Sequence, residues 1–199
     1  MRHSLIVVLI IAAAACSRER AAAPATAGFS GTAERHYGLG RTATAEEIAA
    51  RDIDVAPDGE GLPAGSGSAA LGAELFQQKC SMCHGPKGQG MPPAFPQLIG
   101  RDPRAEGFKF ASDFKLQHTI GNYWPQATTV FDYVRRAMPL LQPGSLTNNE
   151  VYSLTAFLLA SNEVIPMTAT LDSASLVQVK MPYAGRFVPD NRRGGNEVK

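Results

Sequence analysis

The chain is poor in cysteine, in tryptophan and in net charge. Of its 199 residues three are cysteine and one is tryptophan, and the formal charge is +1. So small a charge argues against a polyelectrolyte partner, nucleic acid included. The cysteines are Cys16, Cys80 and Cys83, so a zinc site built on Cys80 and Cys83 lacks a second ligand pair. The most apolar run, Ser4 to Ala15, is too short to span a bilayer as a final helix. What remains is ordinary for a globular protein: 44% hydrophobic residues and room for one domain with extensions. The 19 glycines and 14 prolines announce a fold with much loop.

The first residues read as an export signal. Met1-Arg2-His3 is a short basic start, and Leu5-Ile6-Val7-Val8-Leu9-Ile10-Ile11 with the alanines that follow is an apolar core of leader length. Ala13-Ala14-Ala15-Cys16 resembles a bacterial lipoprotein cleavage box. That resemblance implies a lipid on Cys16 and attachment to a membrane; ordinary cleavage near Ala15 is the alternative. Either way the expected location is outside the cytoplasm, in the periplasm. Residues 1–16 are thus leader, and 17–67 a tether followed by an extended arm.

Within that arm Thr44-Ala45-Glu46-Glu47 predicts a short capped helix, because Thr44 and Glu47 are spaced as a capping box. The stretch from Ala56 to Gly67 is rich in proline and glycine and predicts extended chain. Tyr37, Leu39, Ile48 and Ile53 are its candidate anchors.

The chemistry is concentrated in Cys80-Ser81-Met82-Cys83-His84. Two cysteines separated by two residues and followed by histidine form the attachment pattern of haem c. On a helix, positions i and i+3 share a face, so both sulfurs can reach the two vinyl groups on one edge of a porphyrin. His84 then supplies the proximal nitrogen to iron. A thiol redox motif does not require the histidine; a local disulfide stays as an alternative. One motif implies one haem.

The core domain is expected over 68–165. Leu71, Leu75 and Phe76 fall on one face of a helix that leads into Cys80, with Gly72 inside it as a site of close approach by another helix. Gly85 to Pro103 cannot be helical; a carbonyl of this loop is expected to accept the second ring N–H of His84. Leu98 is expected to touch the porphyrin; Arg101 is a candidate to pair with a propionate, with a solvated surface arginine as the alternative. A short helix is expected around Ala111 to Ile120. Trp124 is a candidate for a propionate hydrogen bond or a pocket wall, with plain core packing as the alternative. Ala127 to Ala137 reads as a helix that ends at Met138-Pro139. Thr147 and Glu150 form a second capping box, opening an amphipathic helix through Val151, Leu154, Phe157 and Leu158. Phe157 is expected to pack on Gly72. From Pro166 to Lys199 the text reads as a second extended arm.

A distal iron ligand is sought among the six methionines. Met82 lies inside the attachment turn and Met91 too near it. Met138, in a loop stiffened by Pro139, is the preferred candidate, ahead of Met167 and Met181. A thioether there raises the reduction potential and closes the iron to substrates.

Gly72-x-x-Leu75-Phe76, Cys80-x-x-Cys83-His84 and Met138-Pro139 before a last helix resemble the class I cytochromes c. The resemblance implies an all-α fold around one covalent haem, here with extended arms at both ends. A narrower set covers more of the chain. Tyr37-Gly38-Leu39-Gly40-Arg41, Asp52-Ile53-Asp54-Val55 and Tyr123-Trp124-Pro125 through Phe131-Asp132-Tyr133 to Met138-Pro139 resemble the cytochrome subunit of Sox-type sulfite or sulfane dehydrogenases. It departs at Gln126, where that subgroup has tyrosine. This resemblance implies electron transfer from a molybdopterin dehydrogenase subunit to a downstream cytochrome or oxidase, with no catalysis by the chain alone.

Overall fold

The structure is a computed structural model that describes residues 39–102 and 115–187. The leader, Cys16, the tether and Tyr37 lie outside the described residues. The chain divides into Met1–Thr42 and Ala43–Lys199. Only 39–42 of the first unit are described, and Leu39 there is exposed.

The second unit is built around a helix that is buried on nearly every side. Helix α5, Asn148–Ser161, buries Val151 through Ala156 and Leu158 through Ala160. The sequence pattern predicts a stripe facing one way. The structure instead surrounds the helix, and even Ser153 and Thr155 are buried. The predicted capping box is present: the Glu150 amide donates to Thr147 Oγ1 at 3.3 Å, and the Thr147 amide to Glu150 Oε2 at 2.8 Å.

Three layers of chain enclose α5. Helix α2, Ala69–Lys79, crosses it on one side. At the crossing a side chain on Gly72 would run into the Ser153 carbonyl and, 2.7 Å away, Phe157 Cβ. Glycine is what allows the backbones so close. The Phe76 and Phe157 rings then meet at 5.1 Å. Leu71 does not join this face; the buried set is Ala69, Gly72, Leu75 and Phe76. Helix α4, Ala127–Ala137, packs on another side, with Phe131 against Tyr152 at 4.5 Å between ring centroids. The sequence puts Val130, Val134 and Ala137 on one face; the structure buries Val130 and Val134 with Phe131 and Asp132, and leaves Ala137 half-buried.

Both arms supply the rest. In the N-terminal one, helix α1, Ala45–Ala49, carries the predicted Thr44–Glu47 capping box. Ile48 and Ile53 are exposed, so the anchor is Val55, buried with its amide on Asp132 Oδ1 at 2.9 Å. Next come Thr128 Oγ1 donating to the Pro57 carbonyl at 2.9 Å and Tyr152 donating to the Pro63 carbonyl at 2.8 Å. Strand β1, Ser66–Ser68, then pairs antiparallel with β2, Thr170–Asp172, in the C-terminal arm. That arm is less extended than its sequence suggests. Helix α6, Ser173–Val177, and a 3-10 turn at Ala184–Arg186 follow, and Leu171, Leu176 and Met181 are buried in the common core.

The helix expected near Ala111 to Ile120 is not formed in its described half: 115–120 is turn and irregular chain, while 111–114 lies outside the described residues. Among the described residues no helix is long and apolar enough to cross a membrane.

Candidate functional site

Helix α2 ends where the attachment motif begins. Cys80 leaves helical geometry at φ −123°, and the short helix α3, Ser81–His84, starts directly after it. The Cys83 and His84 amides both donate to the Cys80 carbonyl, at 3.1 and 2.9 Å. One tight turn therefore carries both sulfurs and the imidazole. It is fastened from behind. Lys79 forms a 2.9 Å ion pair with Glu150 in the first turn of α5, and Gln77 donates to the Pro86 carbonyl at 2.8 Å. Both cysteines are free, half-buried thiols in the structure. Burial pushes the Cys80 thiol up to about 11, so it is neutral at ordinary pH.

His84 is buried, and its Nδ1 lies 3.0 Å from the Pro96 carbonyl oxygen. A carbonyl only accepts, so Nδ1 carries the proton and Nε2 keeps its lone pair for a metal. This is the loop carbonyl the sequence called for. The loop is held by its own ladder: Gly90 donates to the His84 carbonyl at 2.7 Å, and Leu98 and Ile99 donate to the Gly88 carbonyl at 2.8 and 3.1 Å.

Leu98 is half-buried and packs on the core cluster beside Ile99. Arg101 is half-buried, and its Nε has no hydrogen-bond partner. A buried, unpaired guanidinium nitrogen fits an anionic group such as a propionate. Trp124 does not offer its N–H to one: the indole donates to Thr129 Oγ1 at 2.8 Å and packs edge-on against Tyr133. The indole N–H is thus already taken, and the ring packs against the core cluster. His118 is exposed and stacked on Tyr123.

Met138 closes α4. Its amide donates to the Val134 carbonyl at 3.2 Å, its ψ of 148° takes the chain out of the helix, and its side chain is half-buried. The other methionines differ. Met82, Met91 and Met167 are 77%, 43% and 49% exposed, and Met181 is 6% exposed inside the core cluster.

Three polar residues of the frame gave no local signal in the sequence. Asn162, fully buried at the end of α5, accepts from the Gly100 amide at 2.9 Å and donates to the Leu98 and Leu158 carbonyls at 3.2 and 2.8 Å. Thr119 donates to the Gly100 carbonyl. Asn122 donates to the Asp102 and Gln117 carbonyls at 2.6 and 2.9 Å and accepts from the Thr119 amide. They fix the strand of chain that carries Leu98 and Arg101.

The two thiols, an imidazole with Nε2 free and an unpaired buried Arg101 nitrogen form a donor set that fits a covalently held haem. When bound, haem c supplies a one-electron couple. No group of three or more His, Cys, Asp or Glu residues able to hold a separate metal ion occurs among the described residues.

Comparison with known proteins agrees. The cytochrome c family profile matches residues 69–162. A solved structure, the sulfane dehydrogenase SoxCD from Paracoccus pantotrophus, aligns with a TM-score of 0.67 and 41% identity, covering 79% of this chain and 74% of that one. The thiosulfate dehydrogenase of Stutzerimonas stutzeri (strain A1501) is 24% identical over 144 residues, which is 70% of this chain but 40% of that enzyme. The chain thus spans less than half of that relative. With the attachment turn, the loop carbonyl on His84 and the α2–α5 crossing in place, the chain belongs to the class I cytochromes c and resembles the cytochrome of a Sox-type sulfane dehydrogenase.

Proposed function

We propose that this cytochrome accepts electrons from a molybdopterin dehydrogenase that oxidises sulfite or a sulfane intermediate, and passes them to a downstream cytochrome or oxidase. The observation that carries the reading is the extent of the likeness. At 41% identity it covers 79% of the chain, well beyond residues 69–162 where the family profile ends. The likeness therefore takes in chain outside the family profile as well as the cytochrome domain.

In this reading Cys80 and Cys83 bind one haem through thioethers, and His84 holds the iron from the proximal side. Met138 is the distal ligand, because the other described methionines are either well exposed or committed to the core. Arg101 pairs with a propionate, and Leu98 and Trp124 wall the ring. A closed, six-coordinate iron suits electron transfer and disfavours a ligand sensor or peroxidase. The leader supports export to the periplasm, with a lipid on Cys16 as its membrane attachment.

The test mixes the purified cytochrome, the candidate dehydrogenase and sulfite, and follows haem reduction by absorbance. Rapid reduction that requires all three components is expected. Reduction by an unrelated oxidoreductase, and not by the sulfur enzyme, would favour the second reading, a general carrier.

A further inference from the structure

Asn162 does for residues 98–100 what a neighbouring strand would do. Its side-chain oxygen accepts the Gly100 N–H, and its side-chain nitrogen donates to the Leu98 carbonyl. One amide thus grips both peptides that flank Ile99, across more than sixty residues of sequence. The Leu98 carbonyl also receives the Ile120 amide at 3.1 Å, and the Leu98 amide is held on Gly88. The Pro96 carbonyl, which accepts from His84 Nδ1 at 3.0 Å, is two residues upstream of this grip. Asn162 is fully buried, and its third hydrogen bond, to the Leu158 carbonyl, ties the grip to the end of α5.

We propose that Asn162 is a positioning residue for His84: by clamping Leu98 and Gly100 it fixes the Pro96 carbonyl on the Nδ1 proton and so lowers the reduction potential. The physical step is short. A well-aligned acceptor draws on the Nδ1 proton and makes Nε2 a stronger donor, which favours the ferric state. A segment free to drift lengthens that bond and weakens the donor. Changes at residues that orient metal ligands typically cost about 10–100-fold in metal affinity or activity. A tenfold fall in ferric preference corresponds to about 59 mV for one electron.

The inference rests on His84 holding the iron. The experiment compares midpoint potentials and melting temperatures of the haem-loaded full chain, wild type against Asn162→Ala, Asn162→Leu and Tyr152→Phe. Asn162→Leu keeps the branched shape but crowds the buried site, whereas Asn162→Ala leaves a cavity, so the two differ in stability. Both lose the grip and should rise in potential by a similar amount. Tyr152→Phe loses the hydroxyl's hydrogen bonds to Pro63 in the N-terminal arm and to Ser173 in the C-terminal arm, both away from residues 96–100, and should melt earlier with its potential unchanged. Potentials that follow melting temperature, or do not move at all, overturn the inference. If neither Asn162 variant loads haem, exchange of the His84 Nδ1 proton and the Gly100 amide in the wild type decides. They should open together, and independent exchange overturns it. A wild type with no haem c spectrum would overturn the reading of His84 itself, which keeps the two failures apart.

Discussion

Gly72 and Phe157 meet where α2 crosses α5, with Phe157 Cβ 2.7 Å from the place where a side chain on residue 72 would begin. The Ser153 carbonyl is closer still. Gly72→Ala gains about 0.5–1 kcal/mol from helix propensity. It loses more by forcing the helices apart, since overpacking costs about 1–3 kcal/mol. The variant is expected to unfold at lower denaturant than wild type, and Gly72→Val to fail to accumulate. Equal midpoints for Gly72→Ala and wild type would show that the crossing can give way.

Met138→Ala is expected to abolish the weak near-infrared sulfur-to-iron band of the ferric protein and to let carbon monoxide bind the reduced form. Replacing both Cys80 and Cys83 by alanine should remove haem staining from a denaturing gel. A band that survives in Met138→Ala would move the distal ligand to another residue.

Asp132 links the N-terminal arm to α4. It accepts the Val55 amide at 2.9 Å and pairs with Arg136 through both carboxylate oxygens. Burial alone would raise its carboxyl. The Arg136 hydrogen bond, the Val55 amide and the two arginine charges outweigh burial and hold it below the usual range. A lowered folded-state value means stability that is present above about pH 4, the unfolded value, and is lost as pH falls through the folded one. Denaturant midpoints should therefore fall less steeply below about pH 4 in Asp132→Asn than in wild type. The lowered carboxyls of Glu150 and Asp172 keep some slope in the variant.

Leu176 is fully buried although it lies in the C-terminal arm. Leu176→Ala is expected to cost about 2–5 kcal/mol, like a core leucine. Chemical denaturation of the haem-loaded protein measures it. A loss under about 0.5 kcal/mol, the level of a surface substitution, would mean that the arm is not part of the cooperative unit. Deleting the chain from Pro166 would accordingly damage the cytochrome itself, so a slower reaction in that truncate would not report on partner docking.

The haem motif, both capping boxes and the break at Met138-Pro139 were legible because each is a pattern within a few residues. So was the Gly72–Phe157 contact, since a glycine on a helix face asks for a close neighbour. The burial of α5 on all sides was not legible, because its covers come from Pro63, Leu171 and Phe131, far away in sequence. Leu171, Leu176 and Met181 sit singly among polar residues and show no period. Asn162 reads as a helix end, and only the fold shows which peptides its amide meets. Trp124 was ambiguous for a related reason: its partner, Thr129, is a common residue with no mark of its role.

The pairing of β1 with β2 joins the two ends of the domain. Strand β1 lies just before the attachment turn in sequence and β2 far after it, and Leu171, Leu176 and Met181 continue from that pairing into the common core. A cut in the chain near either strand would therefore open the packing around α5 instead of releasing a loose tail.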